Sequence, residues 1–280
     1  LNPDTGAWDR LPARSGIGPG DRLLALPAFD ATVALGSGIN IVLLGGTMVE
    51  FGPPDASGAP MLRIHYGRVL MMTAGGDQRG IHLVADGQQG WLGLAGPHSI
   101  AVVEAVRVMI PGSDPEAESA PLLFNLYVGQ GEVTWRTAAD AQPETLSAPY
   151  QHTLGSDIDT ADQPLPQWVM QDTTPLIEQR GAEFIEEHLS EERQIATRGA
   201  LKELVDHRRS EVKALAARSL VHLGVYDPVI EALANPPQHA AWPALIAELA
   251  QAMVRSPEQA TAIRETFQLE RGNDGDKLFR

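Results

Sequence analysis

The sequence predicts a multi-domain chain: an N-terminal all-β part, sandwich or β-solenoid-like, and a C-terminal all-α part of antiparallel helical hairpins. Three observations carry this expectation. Residues 1–164 hold 22 of the 27 Gly and 14 of the 21 Pro, the residues that punctuate short strands. Apolar residues there recur at period two or run for four to eight residues between turn signals. The later part is rich in Ala, Leu, Glu and Arg, with apolar residues at helical spacing. The boundaries that follow are 1–154 for the strands, 155–172 for an acidic, Pro-containing linker and 173–280 for the helices.

Along the first part, Asp21 to Leu26 and Ala31 to Leu35 read as strands. Gly36-Ser37-Gly38 makes a hairpin turn, because glycine tolerates positive φ. Ile39 to Leu44 and Thr47 to Phe51 follow. Met61 to Tyr66 and Arg68 to Met72 flank Gly67. Ile81 to Ala85 precedes an Asp86-Gly87 turn. Trp91 to Leu94, Ile100 to Ile110, Pro121 to Val128 and Glu132 to Arg136 complete the series, with Gly129-Gln130-Gly131 read as a hairpin. Spacings of about 8–12 residues favour a sandwich, barrel or solenoid. No helix-length segment separates the strands, which argues against a parallel sheet with helical crossovers.

In the second part, Pro175 to Leu189 reads as a helix, and Ser190 as the N-cap of the next. Ser210 caps Glu211 to Leu223, which Gly224 ends. Asp227-Pro228 opens a short helix to Ala234, and Asn235-Pro236-Pro237 stops it. Trp242 to Val254 and Ser256 to Leu269 follow. Short connections require neighbouring helices to pack antiparallel.

Composition excludes several classes of function. The net charge is −15, and the first 164 residues carry 8 basic and 18 acidic residues. Such a surface is a poor partner for nucleic acid or anionic lipid. The chain has no Cys, which removes disulfides, Cys-ligated metal and thiol catalysis. Its most apolar run, Ile100 to Ile110, contains Glu104 and Arg107 and is too short to span a bilayer.

No motif assembles a catalytic, cofactor or metal site. Gly16-Ile17-Gly18-Pro19-Gly20 lacks the flanking strand, helix and Lys of a phosphate loop. Asp157, Asp159 and Asp162 lack the Gly and Glu that a calcium loop needs, so they are assigned to a solvated linker. The eight His, at 65, 82, 98, 152, 188, 207, 222 and 239, form no ligand pair. His65 is expected to make a surface pair with Arg63. Glu183, Glu186, Glu187, Glu191 and Glu192 form an acidic cluster and Arg208-Arg209 a basic one, both on solvated helix faces. Trp8, Trp91, Trp135, Trp168 and Trp242 are expected to be core residues, with sugar stacking as the alternative for any that is exposed.

Two resemblances add to this. Gly20 to Leu44, with Leu62 to Leu70 and its Gly67-Arg68-Val69, resembles the FecR-like domain. Ser210 to Gly224 resembles the second helix of a HEAT-type repeat. The combination is similar to large envelope proteins of planctomycete-type bacteria. The first resemblance implies an extracytoplasmic sensing module, on the periplasmic or cell-envelope side and anchored by a membrane span outside this sequence. The second implies a protein-binding scaffold.

The expectation is therefore a non-enzymatic sensing or protein-interaction module without cofactor. Its strand part would bind another protein or an envelope component, and the helices would add a scaffold surface, with Arg208, Arg209 and the Glu183–Glu192 cluster as candidate contacts. The alternative is a carbohydrate-binding or glycan-processing β-sandwich with a helical appendage. The chain opens with Leu1, and residues 273–280 look like a cap and the first turn of a further helix, so it is expected to be a fragment at both ends.

Overall fold

The computed structural model describes residues 1, 8–73, 80–138, 141–154, 164–171, 173–191, 197–234 and 242–271. It divides into two units. A strand unit comprises Leu1–Ala7, Leu11–Val106 and Leu122–Thr173. A helical unit comprises Trp8–Arg10, Arg107–Pro121 and Thr174–Arg280.

Twelve strands lie among the described residues: β1 (Arg22–Ala25), β2 (Ala31–Leu35), β3 (Ile39–Leu43), β4 (Thr47–Gly52), β5 (Met61–Thr73), β6 (Ile81–Ala85), β7 (Gln88–Leu94), β8 (Ile100–Arg107), β9 (Leu122–Gln130), β10 (Glu132–Arg136), β11 (Glu144–Ser147) and β12 (Tyr150–Leu154). All belong to one connected sheet. The long strand β5 joins its two arms. The first half of β5 pairs with β4 and, in parallel, with β6. Its second half pairs with β3 and β8. One arm continues through β7, β10 and β11, the other through β9 and β12. The arms close round one core that includes Ile41, Leu62, Val69, Met71, Leu83, Leu92, Phe124 and Leu126.

A single strand can serve both arms because its face is switched midway. Leu62 and Ile64 point inward in the first half, Val69 and Met71 in the second, so the inward parity changes. The change falls at a bulge, where Met48 pairs with Tyr66 and Val49 with Ile64, leaving His65 extra. Gly67 follows at φ +97°, and a Cβ there would overlap Thr47.

The helices are α1 (Leu176–Glu191), α2 (Thr197–Leu204), α3 (Ser210–His222), α4 (Asp227–Ala234), α5 (Trp242–Arg255) and α6 (Pro257–Arg271). Helix α3 is the centre. It buries Val212, Leu215, Ala216, Leu220 and Val221 and packs on α1, α2, α4 and α5. Such all-round apolarity marks a helix enclosed by others. Gly181 of α1 lets the two backbones approach, since a Cβ would lie 3.4 Å from the Glu211 carbonyl oxygen. Gly224, at φ +69°, ends α3, and Val225 N–H bonds the Leu220 carbonyl at 2.9 Å.

The expected fold class, an N-terminal all-β sandwich or β-solenoid of FecR-like form plus a C-terminal all-α part of HEAT-like hairpins, is corrected. The strands form one mixed, nearly closed, barrel-like sheet. The parallel β5–β6 pair needs no helical crossover, because the second half of β5 itself begins the connection. Nor is the division N- against C-terminal. The helical unit takes in 8–10 and 107–121 from the strand half. In that excursion Arg107 donates to the Ala120 carbonyl and Val108 N–H to Pro121 O, at 3.0 Å. Glu116 pairs with Arg264 of α6 at 2.8 Å.

Three local expectations also change. Gly129-Gln130-Gly131 is not a hairpin: β9 and β10 lie in different arms, and the turn carries the chain across. Gly131, at φ +71°, lies so close to Ser99 that a Cβ would sit 2.9 Å from its Oγ. Ser190 is not an N-cap. It lies inside α1, with its Oγ donating to the Glu186 carbonyl at 2.7 Å. Ser210 is likewise the first residue of α3, and Arg209 occupies the cap position.

Candidate functional site

The two arms leave an opening where the chain last turns. Among the described residues β11 pairs only with β10, and β12 only with β9. Among the described strands, both are therefore terminal strands of the sheet. A cleft of ≈ 450 Å³ lies there, lined by residues of β7, β9, β10, β11 and β12 together with Thr137. Leu126, Leu146 and Leu154 are its apolar residues. Gln88, Trp135, Glu144, Tyr150 and His152 supply polar atoms and rings. No Lys or Arg is among its described lining residues. The Tyr150 and His152 ring centroids are 6.4 Å apart.

Trp135 is 5% exposed, and its buried indole Nε1–H has no hydrogen-bond acceptor. Gln88 also carries a buried side-chain oxygen without a donor. The two are neighbours by construction. β7 and β10 pair antiparallel, and the Trp135 ring lies over Gly90, two residues from Gln88 along the same face. A Cβ at position 90 would overlap that ring. An unpaired buried polar group costs about 1–3 kcal/mol, so this pair is a feature to explain.

On the outer face of the same arm as β12, polar groups are instead fully engaged. Arg68 pairs with Glu104 at 2.7 Å. Tyr127 O–H and Asn125 Nδ2 donate to the other Glu104 oxygen at 3.0 and 3.2 Å. Thr153 donates to Asn125 at 2.7 Å. Burial, then the adjacent Glu104 carboxylate, push the Tyr127 phenol well above its ordinary range. The described part of the 155–172 segment lies on this face. Trp168 meets Tyr127 edge-on at 5.3 Å, and the Arg68 guanidinium sits 4.0 Å from the Trp168 ring. Val169 is buried with Val102 and Tyr127. Asp157, Asp159 and Asp162 lie outside the described residues.

The helical unit holds a third polar cluster, and it is internal. Glu248 accepts from His222 Nε2 at 2.7 Å and from Arg255 at 3.2 Å, with Arg218 at 3.5 Å. Arg218 also reaches Glu178 at 2.9 Å. Burial opposes Glu248 ionisation, but His222, Arg255 and Arg218 outweigh it and hold its pKa at about 2. His222 is kept below its usual pKa by burial, against the pull of Glu248, with Arg255 and Arg218 adding to the depression. A neutral imidazole fits both partners: Nε2–H donates to Glu248, and Nδ1 faces Arg255 at 3.5 Å. The tautomer is assigned from these partners.

The remaining candidates are dispersed. Trp91 is half-buried beneath the Arg136 guanidinium at 4.4 Å, and Trp8 is half-buried. The Trp242 side chain lies outside the described residues. His65 faces Glu50, 3.4 Å away, rather than pairing with Arg63. Burial lowers its pKa. Glu183, Glu186 and Glu187 are exposed on α1, while Glu192 and the Glu191 side chain lie outside the described residues. Arg208 and Arg209 are exposed, and the Arg209 guanidinium lies 5.2 Å from the Phe184 ring of α1. Among the described residues no group of three or more His, Asp or Glu could hold a metal ion. No described helix is long and apolar enough to cross a membrane.

Sequence reasoning missed the cleft because it missed two of its walls. Glu144–Ser147 and Tyr150–Leu154 are strands of four and five residues with few apolar positions. Their signal is the alternation around Leu146 and the Tyr150/His152/Leu154 face.

No family model matches the chain, and no curated protein matches it. Two crystal structures of a "putative anti-sigma factor from Parabacteroides distasonis ATCC 8503" are similar to it in part, at 11% and 12% identity and a TM-score of 0.31 each. Each match covers 47% of this chain and 53% of the other. The chain thus matches about half the length of those structures, and likeness at this level transfers no function.

Proposed function

We propose that the strand unit is a non-enzymatic interaction module that takes an extended segment of a protein partner at the β11–β12 opening. The observation that carries this is that the two terminal strands β11 and β12 lie beside one cleft in a nearly closed sheet. A free edge presents a row of N–H and C=O groups that an incoming strand can pair, while the cleft receives alternate side chains. The strands β1 and β2 also end the sheet. The FecR-like residues support a sensing role: they form β1, β2, β3 and β5, and Gly67-Arg68 lies at the junction of the two arms. By that resemblance the partner belongs to the envelope side of the cytoplasmic membrane.

Site-specific photo-crosslinking in producing cells tests the proposal. A crosslinker at Thr145 or Gln151 should give a discrete protein adduct, and one at the exposed turn residue Ser57 should not. Equal adducts at all three sites, or none at Thr145 and Gln151, would overturn it.

A further inference from the structure

We infer that the cleft between β11 and β12 is also a binding site for a small, neutral, hydroxyl-rich molecule of mono- to disaccharide size. This goes beyond the strand-docking proposal and does not need it.

The cleft, at ≈ 450 Å³, falls within the range of about 300–1,000 Å³ typical of small-molecule sites. Its lining is mixed: three leucines, three aromatic or imidazole rings, and Gln88, Gln89, Thr137 and Glu144. No Lys or Arg is among the described lining residues, which disfavours an anion, because no cationic group there would offset its desolvation. One carboxylate, on the exposed Glu144, is available as an acceptor.

The deciding feature is the unpaired pair. Trp135 offers a buried donor without an acceptor, and Gln88 a buried acceptor without a donor, on adjacent strands of one wall. A hydroxyl group both accepts and donates, so the hydroxyls of one ligand match both kinds of group. The C–H face of a sugar ring would lie against the leucines and rings, and its remaining hydroxyls would meet Thr137, Gln89, Glu144 and His152. A quaternary ammonium ion satisfies neither orphan, since it has no hydrogen-bonding group. A carboxylate satisfies only the donor.

The test is titration of the whole chain, followed by amide NMR shifts, with glucose, galactose, N-acetylglucosamine, cellobiose and lactose, and separately with tetramethylammonium and acetate. At least one sugar should shift resonances of β7, β10, β11 and β12 saturably. Trp135→Phe keeps the ring and removes the N–H, and Gln88→Leu removes the acceptor. Each should weaken that sugar by up to about tenfold, the equivalent of one hydrogen bond. Thr137→Val on the exposed rim should weaken it with no effect on folding, so a misfolded core variant leaves the question answerable. Glu144→Gln should change it little. Failure of every sugar to saturate, saturation by tetramethylammonium or acetate alone, or sugar binding untouched by all of the Trp135, Gln88 and Thr137 changes would each overturn the inference. Crosslinked protein adducts at Thr145 and Gln151 are read separately, so either proposal can fall without the other.

Discussion

The two units handle polar groups in opposite ways. The helical unit takes its most concentrated charge inside, where Glu248 holds His222, Arg218 and Arg255. The strand unit sets its network on an outer face, over Glu104, and keeps its interior apolar. Beside the cleft, Trp135 and Gln88 each carry a buried polar atom with no hydrogen-bond partner among the described residues. A buried charged network is costly to break. The contrast is between a unit held by a buried charged network and a unit that leaves buried polar atoms without partners beside an opening.

The largest expected effect breaks the helical network. Glu248→Gln removes the carboxylate that His222, Arg255 and Arg218 share, while Arg218 keeps Glu178, and should cost about 3 kcal/mol. Chemical denaturation followed by helical circular dichroism measures it. Gly67→Ala comes next. The residue needs φ +97° and has no room for a Cβ, so a loss of at least about 1–3 kcal/mol is expected in the denaturation midpoint of the strand unit.

Acidification should weaken the helical unit without mutation. Both Glu248 and His222 have pKa values lower in the folded state than in the unfolded one. In each case the unfolded chain binds more protons, so stability rises with pH. The His222 share is complete above its ordinary value near 6.5 and falls away below it. The Glu248 share is complete above about 4.5 and is lost as the pH falls towards about 2. Helical melting temperature should therefore drop in two stages on acidification, and Glu248→Gln should abolish the lower one. At the small end, Arg22→Ala removes an exposed pair with Glu50 and should change stability by no more than about 1 kcal/mol.

Much of the secondary structure was legible in the chain, and the reasons are local. β2, β6 and β10 follow from apolar runs between turn signals, and α4 from Asp227-Pro228. Asp86-Gly87, at φ +43° and +83°, forms the expected tight turn. What escaped depends on pairing over distance. Met61–Tyr66 and Arg68–Met72 read as two strands because Gly67 is a breaker by propensity, yet the bulge and that glycine make one strand serving two arms. The excursion 107–121 joins the helical unit through partners such as Arg264, 148 residues on from Glu116. The cleft was hidden because Trp135 and Gln88 become a pair only when β7 and β10 align.

The central claim is that the sheet stays open between β11 and β12. Amide hydrogen exchange tests it directly on the isolated chain. Outward-facing amides of Glu144–Ser147 and Tyr150–Leu154 should exchange far faster than those of β5 and β8, whose strands are paired on both sides. Protection across β11 and β12 equal to that of β5 would mean that the sheet is closed there and would contradict the account.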